Sequence, residues 1–294
     1  MRIGSSLGAQ LGNMNYAWMC PIPLERSLAR HPGLFGMFAV GGDSMLFVNK
    51  YGRRVVNEKL QYNELAQEFF RWDSTAAEYP NLVMIAAWDQ RTQDHSAGTE
   101  FSVLVPPPGA DDSHVIHGST LAELTDRLRQ RLAKYRPETG GVELARDFTD
   151  QLTATITRFT RLAENGVDVD FHRGEKPLQL MLTVPWRSRR ADPTPTMHPI
   201  SNTGPYYAAL VTGGTLDTKG GPTTRPTTNT DGQILDDTDT PIPGLYGVGN
   251  CVASVSAQAY WAGGATLGPI LAFAYRAAHT ADRECAAVSA TFAS

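Results

Sequence analysis

The sequence predicts an α/β chain, and three observations carry that reading. Leu82 to Trp88 is an unbroken apolar run of strand length. Leucines at 121, 124, 128 and 132, then Leu144, Phe148, Leu152, Ile156, Phe159 and Leu162, give two helices one apolar face each. Near the C-terminal end a short apolar run, Leu245 to Val248 between Gly244 and Gly249, reads as a buried strand. It leads through the pair Gly263-Gly264 into a third amphipathic helix, with Leu267, Ile270, Leu271, Ala274, Tyr275 and Ala278 along one stripe. At 294 residues the chain has interior volume for one large or two ordinary domains.

Composition narrows the function classes. A formal charge of −4 leaves no electrostatic footprint for nucleic acid. The three cysteines, Cys20, Cys251 and Cys285, are odd in number, far apart and in no C-x-x-C pattern. They argue against a disulfide scaffold or structural zinc and fit a reducing compartment. No apolar run approaches the roughly 18 residues that span a bilayer, and the first residues do not read as a signal peptide. A soluble, cytoplasmic protein without a membrane span is therefore expected.

Taken in order, Met1 to Met14 predicts a helix, because Ile3, Leu7 and Leu11 recur every four residues. From Trp18 to Gly42 the chain is punctuated by turns at Pro21-Ile22-Pro23 and His31-Pro32-Gly33. Met45–Asn49 and Arg54–Glu58 predict a hairpin turning at Tyr51-Gly52, with Arg54 and Glu58 pairing on a solvated surface. Phe101 to Val105 reads as a strand or extended edge ended by three prolines. Thr120-Leu-Ala-Glu123 is a capping box opening a helix to about Tyr135. The next helix runs from about Val142 to Asn165, with solvated Arg and Glu side chains and Gly166 as its C-cap. Asp168, Asp170 and His172 alternate in a loop, and without a second ligand cluster they do not make a metal site. Trp186 to Arg190 reads as a basic solvated edge, Pro193 to Pro199 as a loop, Pro205 to Val211 as a strand and Asp231-Gly232 as a turn.

The loop before the last helix is the chemically suggestive part. Tyr260 stands just ahead of Gly263 and Gly264. Paired glycines at a helix start let amides approach a ligand closely, and the first turn offers unpaired donors at the positive end of the dipole. An electron-rich ring edge or a developing oxyanion suits that position.

The string G-L-Y-G-V-G-N, then Y-W-A-G-G-A-T-L-G-P, then an apolar helix, resembles the C-terminal signature of the FAD-dependent 3-ketosteroid dehydrogenases. These belong to the wider fumarate reductase and succinate dehydrogenase flavoprotein family. F-V-N-K-Y-G-R-R-V-V-N-E-K-L-Q-Y resembles the strand pair that opens the family's substrate domain, and Phe159 to Gly174 resembles a further family string, with Thr160 in place of Asn. The likeness covers nearly the whole chain and is most specific over Asn49–Tyr62 and Gly204–Pro269.

The resemblance implies an α+β substrate domain plus the C-terminal segment of a doubly wound FAD-binding domain that lacks its N-terminal βαβ unit. Residues 1–22 would be a residual segment of the FAD-binding domain, 23–222 the substrate domain and 223–294 the C-terminal cofactor segment. FAD would lie with its ribityl chain beside Gly249 and Asn250, and with its pyrimidine edge toward Ala265, Thr266 and Leu267. Tyr62 would accept a proton, while the Tyr260 hydroxyl and the Gly264 N–H donate to a ketone oxygen of a steroid-like substrate. No G-x-G-x-x-G follows a strand anywhere in the sequence, so an N-terminal flavin-binding chain or domain is the expected partner and the chain alone is expected to be inactive. Trp261 and Ala262 replace the family's Pro and Gly, and His198-Pro199 resembles the histidine of fumarate-reducing relatives without their arginine-rich signature. The competing readings are a small-molecule-binding or truncated remnant without redox activity, and a fumarate-reductase-like flavoenzyme half.

Overall fold

A computed structural model describes residues 2–13, 15–29, 36–97, 103–181, 194–215, 225–261 and 263–292. In chain order the elements are α1 (Arg2–Ser6), β1 (Leu11–Gly12), β2 (Met19–Pro23), α2 (Leu24–Leu28), β3 (Met45–Val48) and α3 (Tyr62–Gln67). Next come β4 (Met84–Asp89), α4 (Gln90–Ser96), β5 (Ile116–Gly118), α5 (Leu121–Lys134), α6 (Phe148–Asn165) and α7 (Pro177–Met181). β6 (Tyr206–Thr215), β7 (Arg225–Pro226), β8 (Gln233–Leu235), β9 (Pro241–Tyr246) and α8 (Leu267–Phe292) follow. The chain divides into two units, Met1–Trp18 with Asp217–Ser294, and Met19–Leu216.

The Met19–Leu216 unit is built on a five-stranded antiparallel sheet in the order β2-β6-β4-β3. The ten residues of β6 are shared along one side, Tyr206–Ala208 with β5 and Val211–Thr215 with β2. Both faces are covered, which is why β3 and β4 are apolar without alternation. Leu46, Val48, Ile85, Ala208 and Leu210 pack under α5 and α6. Met45, Phe47, Met84, Ala86, Ala209 and Val211 pack on the other side against Leu65, Ala66 and Phe69 from α3 and the turn after it. α5 starts on the cap expected: Thr120 Oγ1 accepts from the Glu123 amide, while Glu123 Oε2 reaches back one residue further than a capping box and accepts from the Ser119 amide. α6 ends on Gly166 in the left-handed conformation.

Several expectations are corrected here. Pro21-Ile22-Pro23 is not a turn but the outer strand β2. Its prolines are tolerated because their nitrogens lie on the outward side: the Pro21 carbonyl accepts from the Met37 amide, and the Met19 amide donates to Asn63 Oδ1. α6 begins at Phe148 rather than Val142, since the Ala145 amide goes to the Lys50 carbonyl and the chain enters the helix only afterwards. Val103 to Val105 lies in a turn, not a strand, while residues 101 and 102, His31-Pro32-Gly33 and Trp186–Arg190 lie outside the described residues.

The expected hairpin is the largest correction. β3 pairs with β4, and Val48 and Arg54 form only an isolated bridge. The Asn49 side chain accepts from the Tyr51 and Arg53 amides and closes a tight turn. At Gly52 (φ 74°) a Cβ would sit 2.8 Å from the Phe148 carbonyl oxygen, so only glycine lets this turn abut α6.

Arg54 and Glu58 are not on a solvated surface; their side chains are 6% and 0% exposed. Glu58 takes Arg54 through both oxygens at 2.8 Å and Arg173 Nη1 at 3.0 Å. Arg54 Nη2 also donates to Asp168 Oδ2 at 2.8 Å. Two carboxylates and two guanidinia thus balance in the interior. The same groups occupy the outer margin of β3: the Phe47 amide donates to Glu58 Oε1, and Arg173 Nη1 donates to the Met45 carbonyl. An ion network stands where a further strand would otherwise pair. Beside it, Lys59 is buried and donates to the Val40 and Gly42 carbonyls. Burial, then the charge of Arg173, pulls its ammonium well below the usual range, against the opposite pull of Asp43 and Glu58.

In the other unit, α1 stops at Ser6 instead of running to Met14. The Gln10 amide donates to the Leu235 carbonyl and Leu11 pairs with Pro226, so this stretch joins β7 and β8 instead of continuing the helix. β9 pairs with β8 and is half-exposed, not the buried strand expected at Leu245–Val248, because no other described strand lies beside it. α8 is seated on the β8–β9 hairpin through Ala277 against Gly232 and through Glu284, which accepts from Gln233 Nε2 and the Tyr246 hydroxyl. The apolar stripe is split: Ile270 abuts Gly249 and is half-buried, as is Ala274, whereas Leu267, Leu271 and Tyr275 are 64%, 71% and 68% exposed. No helix among the described residues is long and apolar enough to cross a membrane.

Glu58→Gln leaves a buried guanidinium without its carboxylate and is expected to cost about 3–5 kcal/mol, read from urea unfolding. Burial alone would raise the Glu58 carboxyl, yet Arg54 and Arg173 hold it at about 2. The stability this confers is complete above the unfolded value of 4.5 and is lost as pH falls through about 2. Wild-type and Glu58→Gln urea midpoints are thus expected to converge as pH drops across that window; a gap that stays constant would remove the ion network from the account.

Candidate active site

The segment after β9 makes a 3-10 turn at Gly249–Cys251 and then returns toward α8. The Gly247 amide donates to the Gly232 carbonyl and the Ala253 amide to the Pro226 carbonyl, while Val252 packs on Ala9 and Ile234. This lays Gly249 and Asn250 beside the start of α8. A narrow cleft results, lined by Gly249, Asn250, Ala265 and Thr266 together with Trp18 and Thr228. Four of the five residues expected to hold the cofactor meet there; Leu267 does not line it and projects outward.

Tyr260 is half-buried, with the edge of its ring system against Trp18 at 5.0 Å between centroids and 87° between planes. The loop carrying it is fastened to Asn13 and Ala17 of the same unit. Gln258 donates through Nε2 to the Ala17 carbonyl at 2.8 Å and accepts from the Ala17 amide at 3.3 Å, and Asn13 Nδ2 donates to the Ser254 carbonyl. Gly264 is exposed at φ 92°, a conformation that disfavours other residues, and no atom lies within 4 Å of where its Cβ would be. Its carbonyl accepts from the Gly268 amide, which starts α8. Ala262 lies outside the described residues and Trp261 is exposed.

Tyr62 belongs to the other unit and opens α3. It is half-buried, with the Phe38 ring edge-on at 5.1 Å, and the next residue, Asn63, ties the helix to β2 through the Met19 amide. The same unit has an open cleft of about 630 Å³ near the start of β6, where His198 lies with Arg91, His95 and Ser201. Much of its polar lining is already engaged. Arg91 pairs with Asp43, the Ser201 amide donates to Asp89 Oδ2, and His198 Nδ1 is 2.9 Å from the Pro199 carbonyl. Asp168, Asp170 and His172 are taken by Arg54, Arg158 and Glu175, and no metal-holding group of His, Cys, Asp or Glu occurs among the described residues.

The residue that spacing did not reveal is Trp18. Its Nε1 is shielded from solvent and has no hydrogen-bond partner among the described residues, an exception to the rule that buried donors are paired. The glycines in the wall of the cleft, and Gly263 and Gly264 with no atom near their Cβ positions, leave main chain that the flat edge of a ring system could approach. Sequence reasoning had only a tryptophan in a Pro- and Gly-punctuated segment to go on.

Comparison with known proteins agrees with this chemistry. Residues 1–267 match the family model described as FAD binding domain. The chain is 31% identical to a 4-oxocyclohexanecarboxylate 2-dehydrogenase of Sinomonas cyclohexanicum over 95% of its own length and 44% of that protein's. It is 31% identical to a 3-oxosteroid 1-dehydrogenase of Mycobacterium tuberculosis, over 94% of this chain and 45% of that protein. The chain thus spans less than half the length of these curated relatives. The crystal structure of 3-ketosteroid delta1-dehydrogenase from Sterolibacterium denitrificans in complex with 1,4-androstadiene-3,17-dione superimposes with a TM-score of 0.74 at 25% identity, covering 96% of this chain and 46% of that one. A flavocytochrome c3 fumarate reductase in its open conformation shares the fold, with a TM-score of 0.51 and 16% identity. A match over residues 1–267, with relatives of this kind, makes the chain a member of the FAD binding domain family, a flavoprotein whose cofactor is FAD and whose similarity within the family runs to dehydrogenases of 3-oxosteroids and oxocyclohexanes.

Proposed function

We propose that this chain is the substrate-handling part of an FAD-dependent dehydrogenase that desaturates a cyclic ketone beside its carbonyl, a 3-ketosteroid or a smaller oxocyclohexane. Residues 23–222 would carry the substrate, and residues 1–22 and 223–294 would belong to the flavin-binding part. The observation that carries the reading is the approach to α8, where Tyr260 packs on Trp18 of the cleft and exposed Gly264, at φ 92°, directly precedes Ala265, which lines the cleft with Gly249, Asn250 and Thr266.

A hydrogen on carbon next to a ketone is a weak acid, so the charge gathering on the ketone oxygen must be met by donors fixed in advance. The Tyr260 hydroxyl and the Gly264 N–H serve as that pair and bring no charge of their own. Tyr62 takes the proton. FAD, when bound, supplies the acceptor for the hydride from the neighbouring carbon, which leaves a double bond conjugated with the ketone. A free phenol titrates near 10, so a tyrosine base works better as pH climbs toward that value. An N-terminal flavin-binding chain or domain would cover the outward stripe of Leu267, Leu271 and Tyr275. That partner is supported by the missing G-x-G-x-x-G and by the chain's span of less than half its relatives.

A second reading, a ketone-binding remnant without redox activity, is favoured by the bare stripe on α8. The test assays the chain together with an N-terminal flavin-binding half on 4-androstene-3,17-dione and on 4-oxocyclohexanecarboxylate, with an artificial electron acceptor. Turnover of one of them is expected. Binding without bleaching of the flavin would support the remnant instead. Tyr260→Phe is expected to lower kcat by about 10²–10³-fold with an unchanged melting temperature. Tyr62→Phe is expected to lower it by about 10²–10⁴-fold, to flatten the rise of kcat/KM with pH and to abolish deuterium exchange beside the carbonyl. Full activity in Tyr62→Phe would remove that residue from the mechanism.

A further inference from the structure

We infer that Lys59 is a positioning residue for the base: its Nζ holds the segment from Met37 to Asp43, and through that segment keeps the Phe38 ring against Tyr62. The inference rests on the reading of Tyr62 as the proton acceptor and adds to it what keeps that phenol in place. Lys59 lies three residues before Tyr62, in the turn that leads into α3. It is buried, and its Nζ donates to the Val40 carbonyl at 2.6 Å and to the Gly42 carbonyl at 2.7 Å.

Burying an amine is costly, so its contacts say what it is there to do. Charge balance does not call for it, because Glu58 and Asp168 already match Arg54 and Arg173. Both contacts go to main chain instead, in a stretch with no helix or strand of its own, where buried carbonyls need donors from elsewhere. The near end of that stretch is tied by the Met37 amide, which donates to the Pro21 carbonyl at 2.8 Å. Phe38 thus stands between a tie at Met37 and a tie at Val40. From Gly36 to Asn49 every residue is buried except Phe38, which is 36% exposed. Its ring meets Tyr62 edge-on, with 5.1 Å between centroids and 85° between planes. A phenol flanked in this way loses rotational freedom. A base free to turn away from the carbon it serves loses rate without losing substrate affinity.

The test follows Tyr62 itself in the full chain, by NMR of tyrosine labelled with 13C at the hydroxyl-bearing carbon. The Tyr62 signal is the one missing from Tyr62→Phe. Lys59→Met keeps a buried apolar stem and removes both donors. It is expected to shift the Tyr62 signal in the direction that Phe38→Leu does, and the double variant is expected to shift it no further than Phe38→Leu alone. A signal unmoved by Lys59→Met, or shifts that simply add, overturns the inference. Should Lys59→Met not fold, the unmutated chain decides: cross-relaxation between the Phe38 and Tyr62 ring protons, and Lys59 Nζ protons protected from exchange with water, are expected, and the absence of either overturns it. Paired with an N-terminal flavin-binding half, Lys59→Met is expected to lower kcat by about 10–10²-fold with KM unchanged. A raised KM with kcat intact overturns the inference. Full activity in Tyr62→Phe overturns the base assignment and this inference with it, whereas an inactive Tyr62→Phe beside a fully active Lys59→Met overturns this inference alone.

Discussion

The Met19–Leu216 unit depends on a balanced set of buried charges. Glu58 and Asp168 face Arg54 and Arg173 in the interior, and the same side chains take up the Phe47 amide and the Met45 carbonyl along β3. Taking one member away strands another in a medium that cannot solvate it. The chain from Arg54 to Glu58 is held irregular so that its side chains, not its backbone, meet the strand. That segment then passes through Lys59 into α3, whose first residue is Tyr62. The position of the proposed base is thus set by an ion network several residues before it.

The Met1–Trp18 and Asp217–Ser294 unit relies on a different device. Its strands are short, and side-chain hydrogen bonds from Asn13 and Gln258 do the joining that longer ladders do in the other unit. α8 lies on a single hairpin, with Arg276 bonded to Thr230 and Asp231 and with Glu284 between Gln233 and Tyr246. Burial of Ala277 and Thr280 on that side is what turns the larger side chains of the helix outward.

Much of this was legible from residue order. The run at Leu82–Trp88, the helix start at Thr120 and the C-cap at Gly166 each depend on neighbours close in sequence, and each reads correctly. What stayed hidden depends on distant partners. Arg54 and Glu58 look like a surface pair because Asp168 and Arg173, which bury them, come more than a hundred residues later. Pro21 and Pro23 look like turn residues because their tolerance follows from lying on the outer side of a strand. Periodicity found the apolar stripe of α8 but could not say which face the hairpin would choose. Trp18 had no pattern at all, since an orphaned donor exists only in three dimensions.

The five-stranded sheet ends on two quite different margins. Along β2, Pro21 and Pro23 have no amide hydrogen to offer outward, and along β3 the available amide and carbonyl are already held by Glu58 and Arg173. A bare outer strand is a template on which a second molecule can add its own and begin to aggregate. Along β2 and β3 the template is blanked, on one side by ring chemistry and on the other by charge, so the arrangement that orders the interior also works against strand addition at those two margins.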